Sequence, residues 1–315
     1  MSDLASDGQG IDLLAPGTTG WVRVKEWAIE WVLRLAGFSS IVITVGIIVV
    51  LLTETVPFFR EIPVGRFFGD TLWAPVFDNP RFGIWALIAG TVTTTMVALL
   101  VAIPVGTISA VWLSEYCKPG LREFIKPMLE LLSAVPTVVY GYFALLFVTP
   151  ILQWAFGLFG WELSGFNMLS AGLVMGIMII PYVASLSEDA MRAVPMSLRE
   201  GAYAMGATRM QTARKVLVPA ALSGLTAAYI LGIARAVGET MIVAIAAGLR
   251  PNFTFNPTEE AATISAAIVQ ATLGDLPHDS TAYRSIFAAG LVLMGITLVF
   301  NIAGYQLRKR YREVY

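Results

Sequence analysis

The sequence predicts an all-α, polytopic membrane protein with six transmembrane helices. Hydrophobic residues fill 57% of its 315 positions and charged residues only 14%, and the mean hydropathy is +0.72. That balance is too apolar for a water-soluble domain and suits a bilayer. Six apolar stretches recur, each long enough to supply the about 20 residues of helix that cross a hydrocarbon core roughly 30 Å thick. Lys and Arg collect on one side of those stretches, which is the signature of an oriented multi-span chain. The net charge of −1 is uninformative about partners, since the placement of Lys and Arg rather than their sum orients a membrane chain; no nucleic acid is expected as a partner. Cys117 is the only cysteine, so an internal disulfide and a thiolate metal cluster are both excluded.

In order along the chain, an N-terminal segment, 1–34, opens on a polar, Gly-rich run over 1–19 that is expected to be mobile. The predicted spans are 35–53, 83–112, 131–156, 169–186, 217–249 and 286–305, and together they define a transmembrane domain over 35–305 followed by a tail, 306–315. The first is expected to stay as a helix rather than be cleaved, because acidic residues precede it and no small-residue cleavage site follows. The second carries no charge between Arg81 and Glu115, and Pro104 is expected to bend it. The third and fifth exceed a straight span, so tilts are expected, or breaks near Pro136 and Gly141 in the third. Gly224, Ala227 and Ala228 read as small residues for helix packing.

Fifteen of the 21 Lys and Arg residues lie before the first span, in the loops after the second and fourth, or in the tail. Arg60, Arg66, Arg81, Arg250 and Arg284 lie on the other side, and Arg235 falls inside a span. The bias places both termini and the 195–219 segment in the cytoplasm.

That segment is charged and glycine-punctuated. Pro195 stops the preceding structure, Ser197 is placed to cap a helix, and Glu200 three residues on completes a capping box. Gly206 supplies a left-handed turn, and Thr208 with Gln211 repeats the capping pattern for a second helix running toward Pro219. On these residues alone, Glu200 needs to be nothing more than a cap. No Gly-Lys dipeptide occurs, so a phosphate-cradling P-loop is absent and any ATP hydrolysis belongs to a partner. His278 is the only histidine and reads as a solvated loop residue, since no second metal ligand of its kind lies near.

Glu200-Gly201-Ala202, three residues, Gly206, nine residues, then Val216-Leu217-Val218-Pro219 resembles the EAA loop of binding-protein-dependent ABC importer permeases. That loop runs E-A-A, three residues, G, nine residues, I-x-L-P. The departures are Gly201 for Ala, which weakens the helix by up to about 1 kcal/mol, and the two valines. Ser114-Glu115-Tyr116, Lys126-Pro127, Glu130-Leu131-Leu132 and the run from Val135 to Gly141 resemble phosphate importer permeases, and the KP and ELL elements look more like the PstC-type subunit than the PstA-type. Arg235-Ala236-Val237-Gly238-Glu239-Thr240 resembles the R-A-x-G-E-T signature of both.

The resemblance implies the type I ABC importer permease fold in the bacterial inner membrane and a role as a phosphate permease subunit, not an enzyme. No cofactor is implied in this chain; ATP and Mg are bound by the partner ATPase. The implied partners are a PstA-type second permease forming a heterodimer, an ATPase dimer, an extracytoplasmic phosphate-binding protein, phosphate and the lipid bilayer. Glu200, Gly201, Ala202, Gly206 and Pro219 fall on the coupling element that enters an ATPase groove. Arg235, Glu239, Thr240 and Tyr140 fall on the substrate path. Arg235 and Glu239 lie four apart, hence on one face of a continuous helix, and are expected to pair. Two readings stand for the pair: it fixes helix packing, or Arg235 meets an oxyanion while Glu239 neutralises it in the empty path. The Thr91, Thr93, Thr94 and Thr95 cluster and Tyr142 are expected to serve packing or the interface first. Competing readings are a permease for molybdate, sulfate or phosphonate, an integral membrane enzyme, and a passive channel.

Overall fold

The computed structural model describes residues 20–310. The run 1–19, expected to be mobile, and the tail residues 311–315 lie outside them. The chain divides into two units, 1–50 and 51–315. The described part of the first is one stretch of helix α1 (Gly20–Glu61). Trp21, Trp27 and Trp31 stand exposed there, with Lys25 over the Trp21 ring at 4.6 Å and Arg34 bonded to Glu30 at 2.6 Å. Such a mix of aromatic and basic side chains suits a membrane–water interface.

The second unit continues α1 to Glu61, then places α2 (Val64–Gly69) and a two-residue hairpin of β1 (Trp73–Ala74) and β2 (Arg81–Phe82), with Trp73 opposite Phe82. Phe58, Phe67, Trp73 and Phe82 pack edge to face and close this end of the molecule. Helix α3 (Trp85–Val111) follows, runs unbroken through Pro104, and widens into a π turn at Trp112–Tyr116. Helix α4 (Pro119–Ser133) is amphipathic, with polar and charged residues interleaved among apolar ones.

The third predicted span begins later than expected, because 131–133 belong to α4. The break comes at Pro136, as anticipated, where proline restricts its predecessor and starts α5 (Thr137–Phe143). No break occurs at Gly141. A π turn at Ala144–Val148 leads instead into α6 (Thr149–Gly157). Pro150 explains it, since proline lacks a donor and clashes with the carbonyl four residues back, which a wider turn relieves. Thr149 Oγ1 donates to the Ala144 carbonyl at 3.0 Å.

Helix α7 (Met168–Arg192) is central and touches α3, α4, α5, α11 and α12. Asn167 caps it by accepting from the Ser170 amide at 2.7 Å. Against α3 the approach is close: a Cβ on Gly176 would lie 2.8 Å from the Ala98 carbonyl oxygen. Small residues allow this where lipid supplies no hydrophobic drive between helices.

The fifth predicted span, 217–249, is not one helix. After α8 (Met196–Ala204), α9 (Arg209–Thr212), a π turn at Ala213–Leu217 and α10 (Val218–Ala220), the chain bends by 75° into α11 (Leu222–Val237). It breaks again at Gly238 before α12 (Met241–Ala246), then passes through α13 (Ile264–Leu273) to α14 (Thr281–Arg310). Among the described residues five helices are long and apolar enough to span, and a sixth arises if the bent pair is one span. Exposed Leu100, Ile108, Leu146 and Trp154 give the outside its apolar girdle.

Candidate functional site

Helix α8 begins one residue before the expected cap. Pro195 is its N-cap, with ψ 138°, and no side chain caps the helix. The Ser197–Glu200 capping box is therefore not formed. Proline's fixed φ already starts the turn, so Ser197 falls inside it and Glu200 points to solvent. The other end matches expectation. Gly206 has φ +80°, its amide donates to the Tyr203 carbonyl at 2.9 Å, and the Ala207 amide donates to that of Ala202 at 3.0 Å. A Cβ there would meet nothing within 4 Å, so backbone conformation alone calls for glycine. Thr208 and Gln211 form the expected reciprocal box at 3.3 and 2.9 Å. Gly201 and Ala202 stand on the same helix as Glu200, and Pro219 lies in α10 just before the bend. Met196, Met205 and Met210 project from this hairpin, Met205 at 89% exposure, leaving an adaptable apolar surface.

The hairpin is tied to the end of α3. Arg199 Nε lies 3.3 Å from Glu115 Oε1 without hydrogen-bond alignment, a Coulombic contact, while Arg199 Nη2 donates to the Met191 carbonyl at 2.8 Å. Glu115 also accepts from the Ser114 hydroxyl at 3.0 Å and the Tyr203 phenol at 3.3 Å. Burial, and then the Glu115 charge, hold the Tyr203 phenol above its usual range.

A second cluster joins α4 to the end of α7. Glu188, 1% exposed, accepts from Arg122 Nε at 2.7 Å and Lys126 Nζ at 3.0 Å, and Arg192 stands 3.7 Å away. Lys126 also bonds Asp189. The Glu188 hydrogen bond raises the Arg122 pKa. Burial works against the Lys126 ammonium, yet its bonds to Asp189 and Glu188 prevail and raise its pKa.

Of the four expected path residues, Tyr140 and Arg235 meet where α4 ends, while Glu239 and Thr240 lie in the break before α12. The Leu132 carbonyl accepts from the Tyr140 hydroxyl at 3.0 Å, and the Ser133 carbonyl from Arg235 Nη2 at 3.2 Å. The Arg235 guanidinium also lies over the Tyr182 ring at 5.5 Å. Both carbonyls lie at a helix C-terminus, where partial negative charge draws donors; that of Leu132 also accepts the Val135 amide at 3.4 Å. Arg235 and Glu239 do not pair, which corrects the expectation from their spacing. Helix α11 ends at Val237 with Gly238 as its cap, so the shared face is lost. Glu239, 8% exposed, turns instead to the start of α12 and accepts the Met241 and Ile242 amides at 3.1 and 3.3 Å. Thr240 donates to the Gly238 carbonyl at 3.2 Å within the same break.

Thr91 and Thr94 bond carbonyls one turn back at 2.8 and 2.7 Å, the packing role expected of them. His278 is exposed, its ring 4.8 Å from that of Tyr283. Glu188, Arg122, Lys126 and Tyr182 join the site only in the fold and are not among the residues that the motifs single out for it. A signal existed: Arg122 and Lys126 lie four apart on α4, and the Glu188–Asp189 pair closes an apolar run.

Residues 102–313 match the family described as binding-protein-dependent transport system inner membrane component. The chain is 35% identical over 228 residues, 72% of each chain, to the probable ABC transporter permease protein YqgH of Bacillus subtilis. It is 34% identical over 256 residues to the phosphate transport system permease protein PstC of Mesorhizobium japonicum, covering 75% of this chain and 76% of that one. Among solved structures, a bacterial ABC transporter involved in alginate import aligns with TM-score 0.62 at 15% identity, covering 92% of this chain and 99% of that one. An inward-facing methionine ABC transporter aligns with TM-score 0.53 at 19% identity, covering 73% and 95%. At those identities the likeness concerns the fold, a type I ABC importer permease. The exposed hairpin, the spans and the matched 102–313 region agree: the chain is a multi-pass membrane protein of the binding-protein-dependent transport system inner membrane component family, in its PstC-type branch.

Proposed function

We propose that this chain is a permease subunit of an ATP-driven importer of inorganic phosphate. It sits in the bacterial inner membrane with both termini and the α8–α9 hairpin in the cytoplasm. It pairs with a PstA-type permease, receives phosphate from an extracytoplasmic binding protein, and docks its hairpin on an ATPase dimer that holds ATP and Mg. The chain performs no bond chemistry itself.

The observation that carries the reading is the state of Arg235. Among the described residues no carboxylate lies within ion-pair distance of it; it rests on one backbone carbonyl and one ring face. A planar guanidinium so held can exchange a neutral acceptor for the oxygens of a passing oxyanion, with two parallel donors for recognition. A carbonyl competes less strongly than a carboxylate, so capture and release both stay accessible, as transport requires. Glu239 keeps the break after α11 in shape and leaves Arg235 to the anion. The names of the PstC relatives select phosphate among tetrahedral oxyanions.

The test is uptake of labelled phosphate by proteoliposomes holding the complete complex, with ATP and Mg inside and loaded binding protein outside. Phosphate should accumulate, and excess molybdate, sulfate or phosphonate should leave the rate unchanged. Uptake of one of those anions with no uptake of phosphate would overturn the substrate assignment.

A further inference from the structure

Helix α4 buries none of its own side chains. Its middle is attached through Arg122 and Lys126 to Glu188, whose carboxylate is 1% exposed, and its last carbonyls hold Tyr140 and Arg235. Ile125 and Leu129 are only half-buried beside Arg122 and Lys126, so the charged contacts set the register of an otherwise shallow apolar contact. Lys126 and Ser133 lie seven residues apart, about 10 Å along one helix, so a shift at the clamp moves the carbonyl under Arg235.

We propose that Glu188 is a positioning residue for the substrate path: by clamping Arg122 and Lys126 it fixes the C-terminus of α4, and thereby the place of the Arg235 guanidinium. The inference rests on the reading of Arg235 as the phosphate contact. A carboxylate shared among cations on two elements defines a geometry, as a generic apolar contact does not. The same helix follows the π turn that carries Glu115, the partner of Arg199 in the hairpin. Motion at the hairpin therefore reaches α4 at its start and Arg235 at its end.

The experiment has two arms, both in the complete complex in proteoliposomes. In the first, spin labels replace exposed Glu130 on α4 and Leu231 on α11 in a Cys117→Ser background, and the distance distribution is compared with and without Glu188→Gln. A broadened or shifted distribution is expected; an unchanged one overturns the proposal whatever the substrate. In the second, phosphate uptake per assembled complex is measured for Glu188→Gln, Arg235→Lys and both. Glu188→Gln should lower uptake about tenfold by misplacing the reacting geometry, and should lower it less than about twofold further once Arg235 is lysine. Glu188→Asp, which keeps the charge, should restore most of the rate. Should Glu188→Gln fail to assemble, Arg122→Gln, which leaves Lys126 on the carboxylate, should give the same non-additivity in milder form. Multiplicative effects, or uptake lost only in proportion to complex yield, would reduce Glu188 to a stabilising residue and overturn the proposal. Full uptake by Arg235→Met would instead sink the reading of Arg235 and leave the distance result standing.

Discussion

Arg235 Nη2 lies 3.2 Å from the Ser133 carbonyl and its plane faces Tyr182, so charge and shape are separable there by substitution. Arg235→Lys keeps the charge and loses the two-pronged donor, and uptake should fall strongly at normal complex yield. Glu239 makes a different prediction from its place at the head of α12. Glu239→Ala removes the acceptor for two amides and should lower the complex's thermal stability by about 1 kcal/mol. Glu239→Gln keeps an oxygen and should cost less. Equal loss of stability in both would argue that the charge, not the cap, is what matters. Both residues were legible in the sequence as a charged pair inside an apolar run. A spacing of four implies pairing only on an unbroken helix, and Gly238 between them marks the break. Asp70 is a simpler case on the opposite end. The Leu72 amide at 3.1 Å, and then Arg81 at 3.0 Å, hold its carboxyl below the ordinary 3.8. The contact stabilises the loop above that ordinary value and is lost as pH falls through the folded one. Proteolysis of the 70–82 loop should therefore rise on acidification below pH about 3.8 and stay flat from there to neutrality.

Among the elements, the hairpin tests the coupling assignment. Gly206→Leu forces an L-residue to φ +80°, costing roughly 1–2 kcal/mol locally, and should uncouple ATP hydrolysis from uptake while the chain still inserts. Unchanged uptake together with unchanged stimulation by loaded binding protein would remove the hairpin from the coupling path. Gly201→Ala should be tolerated or slightly stabilising, because a Cβ there meets nothing within 4 Å. Deeper in the molecule, Gly176→Leu should collapse complex yield, since the added side chain meets the α3 backbone, and overpacking costs about 1–3 kcal/mol or more. The glycine turn, the Thr208 box and the Pro136 break could be read from sequence because each follows from local chemistry. The start of α8 differs from the expectation because Pro195, not Ser197, stands at its N-cap. The π turns and the 75° bend escaped notice because hydropathy sums over windows that such breaks do not interrupt.

For the whole molecule, the described charges separate by end. Arg122, Lys126, Arg192 and Arg199 gather beside the hairpin, while Arg81 and Arg284 pair with Asp70 and Glu61 beyond the aromatic cluster at the opposite end. The same counts suggested the orientation from sequence, but the sequence could not show that these cations are engaged with Glu188 and Glu115. Long-range partners become visible only when the chain folds. In the proposed transport cycle the Arg235 guanidinium would trade a helix-end carbonyl for a phosphate oxygen while the hairpin would deliver the work of ATP. The most direct test is ATP-driven uptake of labelled phosphate by the complete complex in proteoliposomes, wild type against Arg235→Met, with complex yield and binding-protein-stimulated ATPase activity as controls. The account predicts intact assembly, retained ATPase stimulation and uptake reduced to background; uptake at the wild-type rate by the Arg235→Met complex would contradict it.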